Sequence, residues 1–264
     1  MLLISFIFFC LLLGSLVGFL AGLLGIGGGL VIVPALAYLF PLIDLSPDIV
    51  LPMALATSLA SIVITSSSAA YAHHKNKNIP WPIANKLMLS VGIGAVIGAF
   101  IADQLSAEAL TYIFAGAVIL LASYMLLSVK ITPRDKLPRH YILQLIALFT
   151  GTLASLMGIA GGAILVPILT FCGMKLRHTI GIATVCGVMI AFFGSIGYVY
   201  TGLDNELLPA WSLGYIYLPA LVTIALTSSL VAPLGVKLAA KMPVRRLKRF
   251  FAIFLILVAI KMLW

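Results

Sequence analysis

The sequence predicts an all-α, polytopic membrane helix bundle made of two inverted-topology repeats, each a glycine-broken hairpin followed by three transmembrane helices. Three observations predict it. Hydrophobic residues make up 63% of the 264 and charged residues 9%, against about 25% charged in a soluble domain. A glycine-rich stretch, Gly18 to Pro34, recurs as Gly151 to Pro167 at a constant offset, since 158 − 25 = 133 and 167 − 34 = 133. The basic residues sit in short clusters between apolar runs, as cytoplasmic anchors do.

The first element is an apolar stretch from Leu2 to Phe40, too long for one crossing of about 20 residues and interrupted by Gly25 to Gly29. It has no Lys or Arg ahead of it, which a cleaved signal peptide would have, so it reads as a mature membrane hairpin. Three ordinary spans follow, over Leu51 to Ala72, Trp81 to Ala102 and Ala109 to Val129. A second overlong stretch, Tyr141 to Met174, is interrupted by Gly158 to Gly162. It precedes spans over Thr179 to Tyr200, Trp211 to Val236 and Leu247 to Leu263. The chain therefore divides into a first membrane repeat at 1–130, a cytoplasmic connector at 131–140 and a second membrane repeat at 141–264.

Charge fixes the expected topology. Of 16 Lys and Arg, fifteen lie in Lys75 to Lys86, Lys130 to Arg139, Lys175 to Arg177 and Lys237 to Arg249. The positive-inside rule puts these regions in the cytoplasm. The loops holding Asp44 and Asp48, Asp103 and Glu108, and Asp204 and Glu206 contain no basic residue and face outward. The second stretch then enters and returns on one side, a hairpin with its tip at Gly158 to Gly162. By the repeat, Leu2 to Phe40 is a hairpin from the other side, and the halves are inverted. The expected location is the cell inner (plasma) membrane, multi-pass, with both termini outside. A single crossing by each broken stretch would lay roughly 60 Å of helix, at 1.5 Å per residue, across a core about 30 Å thick.

The glycine breaks are the candidate binding site. Non-helical backbone at membrane depth survives only where protein buries it or water lines it, and matched breaks in two repeats point to a site in transporters. The helix after each break starts with free N–H groups and the positive end of its dipole, which suits an anion. Gly25, Gly27, Gly28 and Gly29 in the first copy, and Gly158, Gly161 and Gly162 in the second, are the candidate substrate-binding backbone. Pro34 and Pro167 each remove one hydrogen bond from the following helix and are expected to kink it.

Span hydroxyls complete the candidate set. Thr57, Ser58, Ser155 and Thr184 are the substrate-binding candidates among them, Thr57 and Thr184 being matched between the repeats. All seven acidic residues fall in loops or at span ends, so the carboxylate that cation transporters carry within the membrane is missing. Hydroxyls and backbone N–H groups donate to an oxyanion without adding charge. Gly14, Gly18, Gly22, Gly92, Gly94 and Gly98 read instead as close-packing positions. Trp81, Trp211 and Trp264 read as interfacial anchors, and Cys10, Cys172 and Cys186 as packing residues.

The pattern Gly22 to Gly29 with Pro34, and its degenerate copy at Ser155 to Pro167, resembles the TauE/SafE family of sulfite and organosulfonate exporters. The likeness runs over essentially the whole chain. It implies transport by alternating access of a small sulfur-containing oxyanion such as sulfite, thiosulfate or an organosulfonate. The alternative reading is an anion channel or a transporter of an unrelated small anion. An intramembrane enzyme would need a nucleophile with a base or a metal on its spans, whereas the four histidines are expected in basic loops. The expected partners are a small inorganic or organic anion and the lipid bilayer. No enzyme activity, cofactor, metal or nucleic acid is expected.

Overall fold

The computed structural model describes residues 2–24, 28–127, 138–239 and 244–263. Gly25, Gly27, Trp264 and connector residues 131–137 lie outside the described residues. The first half contains α1 (Leu2–Leu24), α2 (Gly29–Leu39), a 3-10 turn (Phe40–Ile43), α3 (Pro47–Lys75), α4 (Trp81–Gln104) and α5 (Ala107–Leu127). The second contains α6 (His140–Leu156), α7 (Gly162–Phe171), α8 (Leu176–Thr201), β1 (Ser212–Leu213), β2 (Ile216–Tyr217), α9 (Leu218–Ala239) and α10 (Val244–Leu263).

Local chemistry sets several of these boundaries. The extended Ser46 precedes Pro47 at the start of α3, with Asp48 in the first turn and His73, His74 and Lys75 in the last. That order suits the helix dipole, and proline's missing N–H costs nothing at a first helical position. The Ser106 hydroxyl accepts from the Ala109 N–H at 3.2 Å, capping α5. Among the described residues four helices, α3, α4, α5 and α8, are long and apolar enough to cross a membrane. By contrast α7 has 10 residues, about 15 Å of helix against a core of about 30 Å.

Each short helix starts alongside the helix before it. A side chain on Gly161 would meet Thr150 Cγ2 at 3.5 Å and Ala154 Cβ at 3.4 Å, and one on Gly28 would meet Val17 Cγ1. The matching neighbours lie at equal separation, 161 − 150 = 11 and 28 − 17 = 11. Across the halves, α1 packs along α9 and α6 packs along α4. Gly14 and Gly18 lie against the backbone of Ile224 and Ser228, and Gly151 against that of Val91. Gly94 and Gly98 do the same against Leu148 and Thr152. These are small-residue contacts of the membrane type. In the centre α3 packs on α8, and α5 packs on α10. Buried Phe6, Phe40, Met53, Leu55, Leu59 and Tyr198 fill the space between.

One expected span is corrected. The sequence places a helix from Trp211, but 212–217 form a small antiparallel hairpin pairing Ser212 with Tyr217 and Leu213 with Ile216. The helix begins at Leu218. Trp211 and Gly214 have φ of 69° and 52°, outside the helical range, and the Leu218 N–H donates to the Trp211 carbonyl at 3.1 Å. The bundle is therefore not purely helical. Trp211 itself is exposed at the surface. The histidines also end up on helices rather than in loops: His73 and His74 close α3, His140 opens α6 and His178 sits in the first turn of α8.

Candidate functional site

The second break is a helix terminus followed by a helix start. α6 ends in a Schellman motif, in which Gly158 at φ 60° donates to the Ser155 carbonyl and Ile159 donates to that of Ala154. Gly161, at φ 68°, then caps α7. Its carbonyl accepts from Ile164 and Leu165 at 3.1 and 2.9 Å. The N–H groups of Gly162 and Ala163, the first two residues of α7, donate to no described group. A Cβ built on Gly162 would meet nothing within 4 Å. Unpartnered N–H donors at the positive end of a helix thus border open space, the arrangement that binds an anion without a charged side chain.

The first break is closed where the second is open. Gly28 caps α2, its carbonyl accepting from Val31 and Ile32 at 3.0 Å each. A Cβ on Gly29 would collide with the Gly158 carbonyl and come within 3.0 Å of Ile159 Cα. The two breaks therefore touch each other. The same Gly158 carbonyl accepts the Ser58 hydroxyl at 2.7 Å, which ties α3 of the first half to the break of the second. Gly187 on α8 seats Ala160, whose carbonyl lies 2.8 Å from where a Cβ would be.

The other candidates have these places. Thr57 is buried, and its hydroxyl oxygen accepts the Tyr217 N–H at 3.0 Å. The Thr184 hydroxyl donates to the Ile180 carbonyl at 2.8 Å, one turn back on α8. Ser155 is fully buried and its hydroxyl has no partner among the described residues. Pro34 and Pro167 both occupy the sixth position of their helices. The buried polar side chains among the described residues are hydroxyls and the amide of Asn78, with no carboxylate and no cation.

Sequence reasoning missed a polar chain at the end of the bundle where α8 and α4 finish. Asn205 donates to the Tyr215 hydroxyl, which donates to Asp103 Oδ1, both at 3.1 Å. The Tyr215 ring meets Tyr198 edge-on, and the Tyr198 hydroxyl donates to the Ser155 carbonyl at 3.3 Å. Tyr198 lies 127 residues after Tyr71, the separation that also pairs Thr57 with Thr184, yet Tyr71 is 70% exposed and Tyr198 fully buried, so the repeat alone gives no signal for it.

Comparison with known proteins decides the family. The model of the family described as sulfite exporter TauE/SafE matches residues 10–262. The chain belongs to the TauE/SafE family. A Haemophilus influenzae protein named as a probable membrane transporter is 44% identical over 98% of each chain. A Methanocaldococcus jannaschii protein of the same description is 28% identical over 90% of this chain and 88% of its own. A Bacillus subtilis relative, YunE, is 30% identical over 59% of this chain and 64% of its own. No solved structure matches. This TauE/SafE chain is a multi-pass membrane transporter.

Proposed function

We propose that this TauE/SafE transporter carries a small sulfur-containing oxyanion such as sulfite, thiosulfate or an organosulfonate by alternating access. The anion sits at the start of α7, on the N–H groups of Gly162 and Ala163. The observation that carries the reading is that these two donors have no partner among the described residues and that a side chain on Gly162 would meet nothing within 4 Å, while the buried polar side chains among the described residues bear no charge. An oxyanion is the ligand for which unpaired donors and a helix dipole are complementary. A cation there would meet the positive end of the helix. The family's description as sulfite exporters supports sulfur oxyanions as the substrate class.

Alternating access is supported by the packing. The first helix of each half lies on the fourth helix of the other, and the two breaks touch between the halves. Together with the equal separations of 11 residues, these features fit inverted repeats that rock against each other around a central site. The cytoplasmic face is the one bearing Lys75 to Lys86 and Lys175 to Arg177, in the inner membrane, by the positive-inside rule.

The test is uptake of radiolabelled sulfite, thiosulfate and a sulfonate by purified protein in proteoliposomes, with chloride and sulfate as competitors. Saturable flux of one sulfur oxyanion is expected. Gly162→Val places its side chain in the open space and is expected to cut that flux at least about 100-fold, as loss of well-placed donors to a charged ligand does. Competition by chloride alone would name an unrelated small anion instead, and unitary conductance in a planar bilayer would make the protein a channel.

A further inference from the structure

Lys261 is the one Lys or Arg of the sequence outside the four basic regions. It lies in the last turn of α10, its Nζ 4.8 Å from the centroid of the Tyr38 ring. Glu108 lies in the first turn of α5. Both line a groove of about 940 Å³ between α1, α2, α3, α5 and α10. Among the described residues neither has an ion-pair partner. Apart from Thr111, whose hydroxyl is used on the Ala107 carbonyl at 2.8 Å, and Tyr38, the rest of the lining is apolar.

Shape and charge together identify an occupant. The groove follows α2 from Val31 to Leu39, roughly 12 Å at 1.5 Å per residue. That is close to the ~15 Å of hydrocarbon in one leaflet, half of a core about 30 Å thick. Its charged groups all lie at one end, where α2 and α10 finish and α5 begins, and its other end stops at mid-helix. Leu12, Leu16 and Tyr38 are about half exposed along it, so it is open to the side, toward lipid. An apolar groove of this kind offers water none of the two to four polar partners that an ordered water needs. An acyl chain meets the lining with dispersion contacts throughout.

At its mouth stand one cation and one carboxylate that are not paired with each other. We infer that the groove holds one phospholipid of the bilayer whose headgroup carries a phosphate and a primary ammonium. The phosphate sits on Lys261, the ammonium on Glu108, and one acyl chain lies along α2. A headgroup bearing only a negative charge would meet repulsion from Glu108. A quaternary ammonium has no N–H to donate to the carboxylate.

Native mass spectrometry of the full-length protein in mild detergent tests this. Phosphatidylethanolamine, phosphatidylglycerol and phosphatidylcholine with identical acyl chains are supplied in equal amounts. One phosphatidylethanolamine is expected to be retained, at least about fivefold over either competitor. Glu108→Gln should erase the preference over phosphatidylglycerol, and Lys261→Gln should lower retention of both. Ala35→Phe fills the groove without touching either charge and should lower retention of all three. Phosphatidylglycerol retained as well as phosphatidylethanolamine, no retained lipid in protein of unchanged thermal stability, or an unaltered ratio in Glu108→Gln would each overturn the assignment.

Discussion

Gly29 and Gly162 occupy the same place in the two copies of the repeat, each opening the short helix after a glycine break. A methyl group on Gly29 would strike the Gly158 carbonyl, whereas one on Gly162 would meet nothing within 4 Å. One glycine is there because backbone lies against it, and the other because the space before it is left open. The repeat motif therefore marks two positions with the same residue for different physical reasons. The caps before them differ as well, Gly28 having φ −76° and Gly161 φ 68°.

The largest effect separating them is the loss of flux expected in Gly162→Val. The next comparison makes the same small change at both positions. Gly29→Ala should lower stability by about 1–3 kcal/mol, the cost of overpacking against unyielding backbone. Gly162→Ala should stay within about 0.5 kcal/mol of the parent, as changes free of steric conflict do. Thermal unfolding in detergent reads both, and equal shifts would mean the two breaks are alike after all.

Two hydroxyls sharpen the contrast further. Ser58→Ala removes the 2.7 Å bond to the Gly158 carbonyl that braces the contact between the breaks. It should cost about 1–3 kcal/mol, because a buried acceptor loses its donor. The Ser155 hydroxyl has no described partner, so Ser155→Ala should leave stability within about 0.5 kcal/mol. Its transport should fall about threefold, the share of one weak donor. Unchanged flux would take Ser155 out of the site.

The sequence made the breaks legible because glycines and a proline at fixed spacing leave a direct mark. It also located the ends of α3, α4, α5 and α8 to within a few residues, since apolar length and basic clusters fall together there. It could not separate Gly29 from Gly162, because that difference lies in what packs against each one from the other half. The hairpin at 212–217 was hidden for a related reason. Its residues are as apolar as a span, and only the left-handed Trp211 and Gly214 divert the backbone. The role of Thr57 as acceptor for the Tyr217 N–H likewise depends on a partner 160 residues away.

The exchange of first helices between halves has a consequence for how the protein is made. Gly14 finds its seat on Ile224, and 224 − 14 = 210 residues separate them. Gly94 finds Leu148 after only 148 − 94 = 54. At about 5–20 residues per second, α1 leaves the ribosome roughly 10–40 seconds before its mate exists. Through that interval its glycine face has lipid, or a helper of the insertion machinery, as its only neighbour. A chain that stops short of Leu218 lacks α9 and leaves the glycine face of α1 without its seat.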